Sequence, residues 1–238
     1  MYYNKFKYNK YSQNGEDGII EKIFRELNFV IDELTLVDVG AYDGTSYSNF
    51  KNLIDQGARA ILIEPCLVDE NCKPKYSKLK QIEEINKKIK TFNCFIKTKD
   101  EILNKQAFDY CNTFHVKCGI LDWNPEQKNL NDVLDAANIK NYDVLNIDID
   151  SYDHMVWEEH NLSPKVVIIE INSSIFPEKT GNPKYYSFSD SLKLGIKKGY
   201  SCVCHCGNMI YVRNDLLNNL SIPNNLINSI NLFDKSWL

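Results

Sequence analysis

The sequence predicts an α/β fold, a mostly parallel sheet with helices on both faces and a closing antiparallel hairpin. Three observations predict it. The runs 144–149 and 166–171 are β-branched and almost continuously apolar, as strands buried on both faces of a parallel sheet are. Residues 151–160 between them are long enough for a crossover helix, which makes the two strands parallel neighbours. Near the C-terminus, 200–205 and 209–213 flank Gly207-Asn208, the pattern of an antiparallel hairpin.

The remaining elements follow in chain order. Residues 1–11 are aromatic and basic and read as an irregular arm. Ile19, Ile20, Ile23, Phe24 and Leu27 recur at helical spacing, so a helix is expected over 16–28. A strand over 34–39 ends in Asp38-Val-Gly-Ala-Tyr-Asp-Gly44, a glycine turn that opens onto a helix over 46–56 with Gly57 as its C-cap. A strand over 60–63 closes at Glu64-Pro65, a helix spans 78–88 and a strand 91–96. Residues 97–128 hold Phe108, Tyr110, Phe114, Leu121 and Trp123 and read as an ordered insertion. A short helix over 130–137 leads into the strand at Val144. The turn-rich, aromatic segment 173–188 begins at a strand's carboxyl end, where an active-site loop belongs. A helix over 189–198 precedes the hairpin, and 221–238 reads as a short terminal helix or a join to a further region. The whole, 1–238, is expected to be a single domain.

The net charge of −4 argues against a nucleic-acid or membrane-surface partner. The lysines of 73–90 read as a solvated helix face. No apolar run is long enough to span a membrane, and the N-terminus has no signal-peptide core, so a cytoplasmic location is expected. The eight cysteines then read as reduced, small apolar side chains. Cys202, Cys204 and Cys206 alternate onto one strand face, with His205 opposite, which is poor geometry for zinc. Cys66, Cys72, Cys94, Cys111 and Cys118 show no metal spacing.

The chemistry concentrates at strand ends. Gly40 lets a ligand approach the first strand closely. Glu64, ending the next strand, can take both hydroxyls of a ribose. Together they point to a nucleoside-bearing cofactor without a pyrophosphate cradle, because the spacing is not G-x-G-x-x-G. Asp148 and Asp150 close one later strand, Glu170 and Asn172 the other. Side chains two apart share a strand face, so these oxygens form a hard-cation or general-base site.

D-V-G-A-Y-D-G followed by I-L-I-E-P resembles motif I and the strand-two acid of class I S-adenosylmethionine-dependent methyltransferases. The ordered set Y-S-Q-N-G-E-D-G-I-I, N-L-N-D-V-L, D-V-L-N-I-D-I-D-S-Y-D-H-M-V-W, V-V-I-I-E-I-N and the late G-Y-S and G-N-M-I-Y-V resembles the FkbM-type methyltransferases across residues 11–213. That family often carries I-D-x-E-G-x-E. Here Ile147-Asp-Ile-Asp-Ser-Tyr-Asp keeps the acids and shifts their reach. The resemblance implies a seven-stranded Rossmann-like sheet and S-adenosylmethionine held by Gln13, Asp38, Gly40, Tyr42, Gly44 and Glu64. The expected reaction is methyl transfer to a hydroxyl of a sugar, nucleotide sugar or glycan-linked small molecule. The acids also resemble the metal site of catechol O-methyltransferase-type enzymes. Asp148, Asp150, Glu170 and Asn172 would hold Mg²⁺, Mn²⁺ or Fe²⁺, and Asp150, Asp153 and His154 would handle the proton, with His205 a further nitrogen ligand or base. Two alternatives stand beside this reading. Asp148-Ile149-Asp150 is also the D-x-D of metal-dependent glycosyltransferases, and the fold could be a non-catalytic binding domain. Neither acceptor, metal nor oligomeric state is legible in the sequence.

Overall fold

The computed structural model describes residues 2–182 and 186–238. In chain order the elements are α1 (Glu16–Glu26), β1 (Thr35–Val39), α2 (Lys51–Asp55), β2 (Arg59–Ile63), α3 (Tyr76–Ile85), β3 (Ile89–Phe92), β4 (Cys94–Ile96), α4 (Glu101–Lys117), β5 (Glu126–Lys128), α5 (Leu130–Ala136), β6 (Val144–Ile147), α6 (Asp153–Glu159), β7 (Val166–Glu170), α7 (Phe188–Lys197), β8 (Tyr200–His205) and β9 (Asn208–Arg213). Seven strands form one sheet in the order β3-β2-β1-β6-β7-β9-β8. All neighbours are parallel except β9, which runs antiparallel to β7 and β8. This is the Rossmann-like, class I methyltransferase architecture expected from the sequence.

The order is what positions the site. From β1 the chain winds outward through β2 and β3, then returns to the other side of β1 for β6 and β7. The strand order therefore reverses between β1 and β6, and a crevice opens at their carboxyl ends. Val39 lies opposite Ile63 on one side and Ile147 on the other. Leu36, Val37, Val144, Leu145 and Val166–Ile169 are buried, which accounts for runs with no polar alternation. Trp157 of α6 packs between Tyr200 and Tyr211, so the crossover helix is anchored to the hairpin.

Several expectations are corrected. The helix expected over 46–56 forms only at Lys51–Asp55. Upstream, Asp43 Oδ1 accepts the Thr45 and Ser46 N–H groups, Tyr47 has φ +61°, and Ser48 Oγ accepts the Lys51 N–H. These local bonds hold the chain in turns. The strand over 91–96 splits at Asn93, whose side chain donates to the Glu64 and Pro65 carbonyls. Its second half, β4, leaves the main sheet and pairs with β5. Residues 97–128 contain a 17-residue helix, α4, that the sequence did not reveal. Its fully buried side chains are Asn104 and His115; Leu103, Ala107 and Phe108 pack on the core only partly buried, and Ile102 and Val116 face solvent, so the apolar stripe is weak. Residues 221–238 contain only short 3₁₀ turns, anchored by Ile222, Leu232 and Phe233. Of the expected active-site loop, 183–185 lie outside the described residues.

The cysteines need one correction. Cys202, Cys204 and Cys206 are free and buried, as expected, although a bulge between Cys202 and Cys204 breaks their simple alternation. Cys72 and Cys118, however, form a disulfide across 46 residues. The sequence shows no pattern for it, because the partners meet only where α4 docks on the segment after β2. Such a loop is stabilised by about 3–4 kcal/mol. The denatured, unreduced protein should titrate as six thiols, and as eight after reduction. Eight before reduction would contradict the pairing.

Candidate active site

The turn after β1 is built tightly. The Gly40 and Ala41 N–H groups both donate to the Ile63 carbonyl at 3.0 Å. Gly40 has φ +89°, and a Cβ there would lie 1.7 Å from the Asp148 carbonyl oxygen. Only glycine lets β1 and β6 approach at this point. The next N–H, from Tyr42, donates to Glu64 Oε2 at 3.0 Å, and the Tyr42 hydroxyl donates to Asp69 at 2.7 Å. Glu64 is 2% exposed. Its Oε1 accepts the Cys66 N–H and pairs with Lys75 Nζ at 3.0 Å. Lys75 also lies 4.7 Å above the Tyr42 ring. Burial pulls its ammonium down, but Glu64 outweighs this and holds it above its ordinary value.

Two residues of this turn have other work. Asp38 accepts a hydrogen bond from Asn146 at 2.8 Å and is buried behind the turn. Burial pushes its carboxyl up to about 7. It is not among the residues lining the cleft. A Cβ on Gly44, φ +73°, would strike Leu79 and Ile82 of α3, so Gly44 serves packing. Gln13, Gly40, Tyr42 and Glu64 do line the cleft.

Across the crevice, Ile147 pairs with Ile169, so the strand ends set Asp148 beside Glu170. Asp150 follows in a left-handed conformation, φ +58°, one that Asp tolerates better than most residues. One carboxylate oxygen from each of Asp148, Asp150 and Glu170 lies within 4.8 Å of the others. Burial pushes Glu170 up to about 10, reinforced by Asp148, Asp153 and Asp150. Burial, then Asp153 and Asp150, also raises Asp148 well above the carboxylate range. With their carboxylate oxygens this close, Asp148 and Glu170 each disfavour the other's charge, so the pair tends to hold a proton. A divalent cation fits this donor set, since hard cations take carboxylate oxygens and would replace that proton.

The other residues expected in this cluster divide. Asp153 accepts the Ile149 and Ser151 N–H groups at 2.8 and 3.1 Å, so both of its oxygens brace the turn that carries Asp150. Asn172 lines the cleft, but its Oδ1 accepts the Ser174 N–H and hydroxyl. His205 is satisfied in the core: Nε2 meets Ser173 Oγ and Nδ1 accepts the Asp234 N–H. It is neither ligand nor base. His154 is 2% exposed, stacks on Tyr186 at 4.3 Å and lines the cleft. Among the described residues its Nε2 has no hydrogen-bond partner. Burial holds it at about 3 and therefore neutral.

These two groups face one cavity of about 900 Å³, near the upper end of the range for small-molecule sites. A narrower apolar slot opens beside Gly40, between Ile63, Pro65, Phe95, Ile149 and Tyr152, and suits a flat ring. Several lining residues escaped the sequence reading. Lys75 precedes α3, and Tyr110 and Cys111 lie within α4, away from the strand ends that drew the sequence reading. Trp237 arrives from the far end of the chain.

No family model matches the chain, and no curated protein matches it. Among solved structures it is similar to a protein designated a candidate hemolysin from Streptococcus thermophilus, at 12% identity and a TM-score of 0.43, covering 88% of this chain and 69% of that one. A second such protein, from Lactococcus lactis, gives 12% identity and a TM-score of 0.39, covering 87% and 90%. The mitomycin 7-O-methyltransferase MmcR gives 14% identity and a TM-score of 0.35, covering 82% of this chain and 54% of that enzyme. Likenesses this distant do not say which residues act in this chain.

Proposed function

We propose that the chain is an S-adenosylmethionine-dependent O-methyltransferase of the FkbM type, acting on a hydroxyl of a sugar or glycan-linked molecule with help from a divalent cation. One observation carries this reading: the glycine turn with Glu64 and the Asp148, Asp150, Glu170 cluster face the same cavity. Glu64 would hold the ribose hydroxyls, the apolar slot the base, and the Gly40 turn the amino-acid end. The acidic lining also suits a sulfonium cation.

A sugar hydroxyl is too weakly acidic to attack a methyl group unaided at neutral pH. The bound cation would supply Lewis acidity and orientation for that hydroxyl, held by Asp148, Asp150 and Glu170. Asp150, the most exposed of the three, would receive the hydroxyl proton. His154, held neutral by burial, would present no cation to repel the methyl donor. Asp153 keeps the Asp150 turn in place and takes no proton in this scheme.

Calorimetric titration with S-adenosylhomocysteine tests the cofactor half. Binding to the wild type is expected, and Glu64→Ala should weaken it by ~1.5–3 kcal/mol, the worth of a hydrogen bond to a charged group. Unchanged affinity in Glu64→Ala would remove Glu64 from the site. No binding to the wild type would leave the non-catalytic reading.

A further inference from the structure

Asn49 stands between two local anchors. Ser48 Oγ accepts the Phe50 and Lys51 N–H groups, and the Phe50 ring is fully buried. Asn49 is itself only 5% exposed, yet it lines the same cleft as Gly40 and Tyr42. It lies outside the D-V-G-A-Y-D-G stretch and carries no signal of its own in the sequence.

Its side chain is the outer end of a buried polar chain. Asn49 Nδ2 donates to Asn146 Oδ1 at 3.0 Å, and Asn146 Nδ2 donates to Asp38 Oδ1 at 2.8 Å. Asn146 and Asp38 lie opposite each other where β1 pairs with β6. The direction of the chain is set from inside. Asp38 offers an oxygen, which takes an Asn146 N–H, and that leaves the Asn146 oxygen for Asn49 Nδ2. Asn49 Oδ1 is thereby left over. It accepts no hydrogen bond among the described residues and is not sealed in the core. Asp38, expected in the cleft, reaches it only through these two amides.

An amide oxygen held this way selects among ligand groups. It accepts and cannot donate, so it takes an N–H or O–H group and has nothing to offer a carboxylate or phosphate oxygen. It bonds most strongly to a charged donor. Its place is where β1 meets β6, and Asp38 precedes Gly40 by two residues. The amino-acid end of the proposed cofactor would lie at that turn. Of the two charged groups at that end, only the ammonium can donate.

We infer that Asn49 Oδ1 receives the α-ammonium of the cofactor and makes the site discriminate against ligands without an amino group there. The inference rests on the methyltransferase reading for the identity of the ligand. It adds to that reading a specificity that the glycine turn and Glu64 do not supply.

The test compares S-adenosylhomocysteine with its deaminated analogue, in which hydrogen replaces the α-amino group, by calorimetry at pH 7 with Mg²⁺. The wild type should bind S-adenosylhomocysteine at least about tenfold more tightly, as a hydrogen bond to a charged group predicts. Asn49→Ala should weaken S-adenosylhomocysteine about tenfold and leave the analogue within about twofold, so the preference disappears. Asn49→Asp, which keeps an oxygen at that place, should retain the preference. Equal binding of the two ligands by the wild type, or a preference that survives Asn49→Ala, would overturn the inference. Loss of Mn²⁺ affinity in Asn49→Ala with the ligand preference intact would make Asn49 a cation ligand and overturn it as well. Binding of neither ligand would sink the cofactor reading and this inference with it, whereas equal binding sinks the inference alone.

Discussion

Chelation should abolish methyl transfer while leaving S-adenosylhomocysteine binding nearly intact, and Mg²⁺, Mn²⁺ or Fe²⁺ should restore it. Asp150→Asn should behave like permanent chelation, with a loss of at least about a hundredfold, since changes to groups merely supporting a ligand already cost 10–100-fold. The pH dependence has a definite sign. Glu170 is held at about 10 against an ordinary 4.5, and Asp148 is raised as well. Near neutral pH a cation must therefore displace a proton, and its affinity should rise with pH, by up to about tenfold per unit for each proton released. The same shift governs stability. A carboxyl whose folded pKa is raised contributes stability below its ordinary value, and that contribution is lost as pH rises toward about 10. The metal-free protein should therefore lose thermal stability between pH 6 and pH 9, and Mg²⁺ should offset the loss. Full activity in chelator, or a cation affinity that falls with pH, would leave Asp150 as a simple general base.

Gly40→Ala should be the most damaging single change in the fold near the site. A Cβ there meets the Asp148 carbonyl at 1.7 Å, and φ is +89°. The conformational cost is ~1–2 kcal/mol, and overpacking adds ~1–3 kcal/mol. Part of that strain would be relieved by pushing the end of β6 away, which moves Asp148. Urea unfolding should show a loss of about 2–5 kcal/mol, and cation affinity should fall with it. Wild-type stability would mean that the close approach of β1 and β6 is not real. Gly44→Ala, which strikes Leu79 and Ile82, should also destabilise, but with no direct effect on the cluster.

These contrasts show where the sequence was informative. Strand ends were legible because one residue there carries both jobs: it ends an apolar run and it points into the crevice. Glu64, Asp148 and Glu170 were found that way, and register then set Asp148 beside Glu170. Polar residues of one motif divide by the donors the backbone leaves open. Asp38 pairs with Asn146 behind the turn, and Asp153 braces the Asp150 turn, because buried carboxylates need partners wherever the backbone leaves donors open. Contacts made by elements distant in sequence were invisible. Lys75 on Glu64, the Cys72–Cys118 disulfide and Trp237 on Gly207 each depend on how α3, α4 and the C-terminal turns dock. No local pattern encodes that docking.

The central claim is that methyl donor and cation share one cleft. It is tested most directly by paramagnetic relaxation, with Mn²⁺ as the cation and S-adenosylmethionine carrying a ¹³C-labelled methyl group. The account expects the methyl resonance of the bound cofactor to relax rapidly when Mn²⁺ is present, and the effect to vanish in Asp150→Asn although the cofactor still binds. A methyl signal untouched by bound Mn²⁺ would separate the two sites and contradict the account.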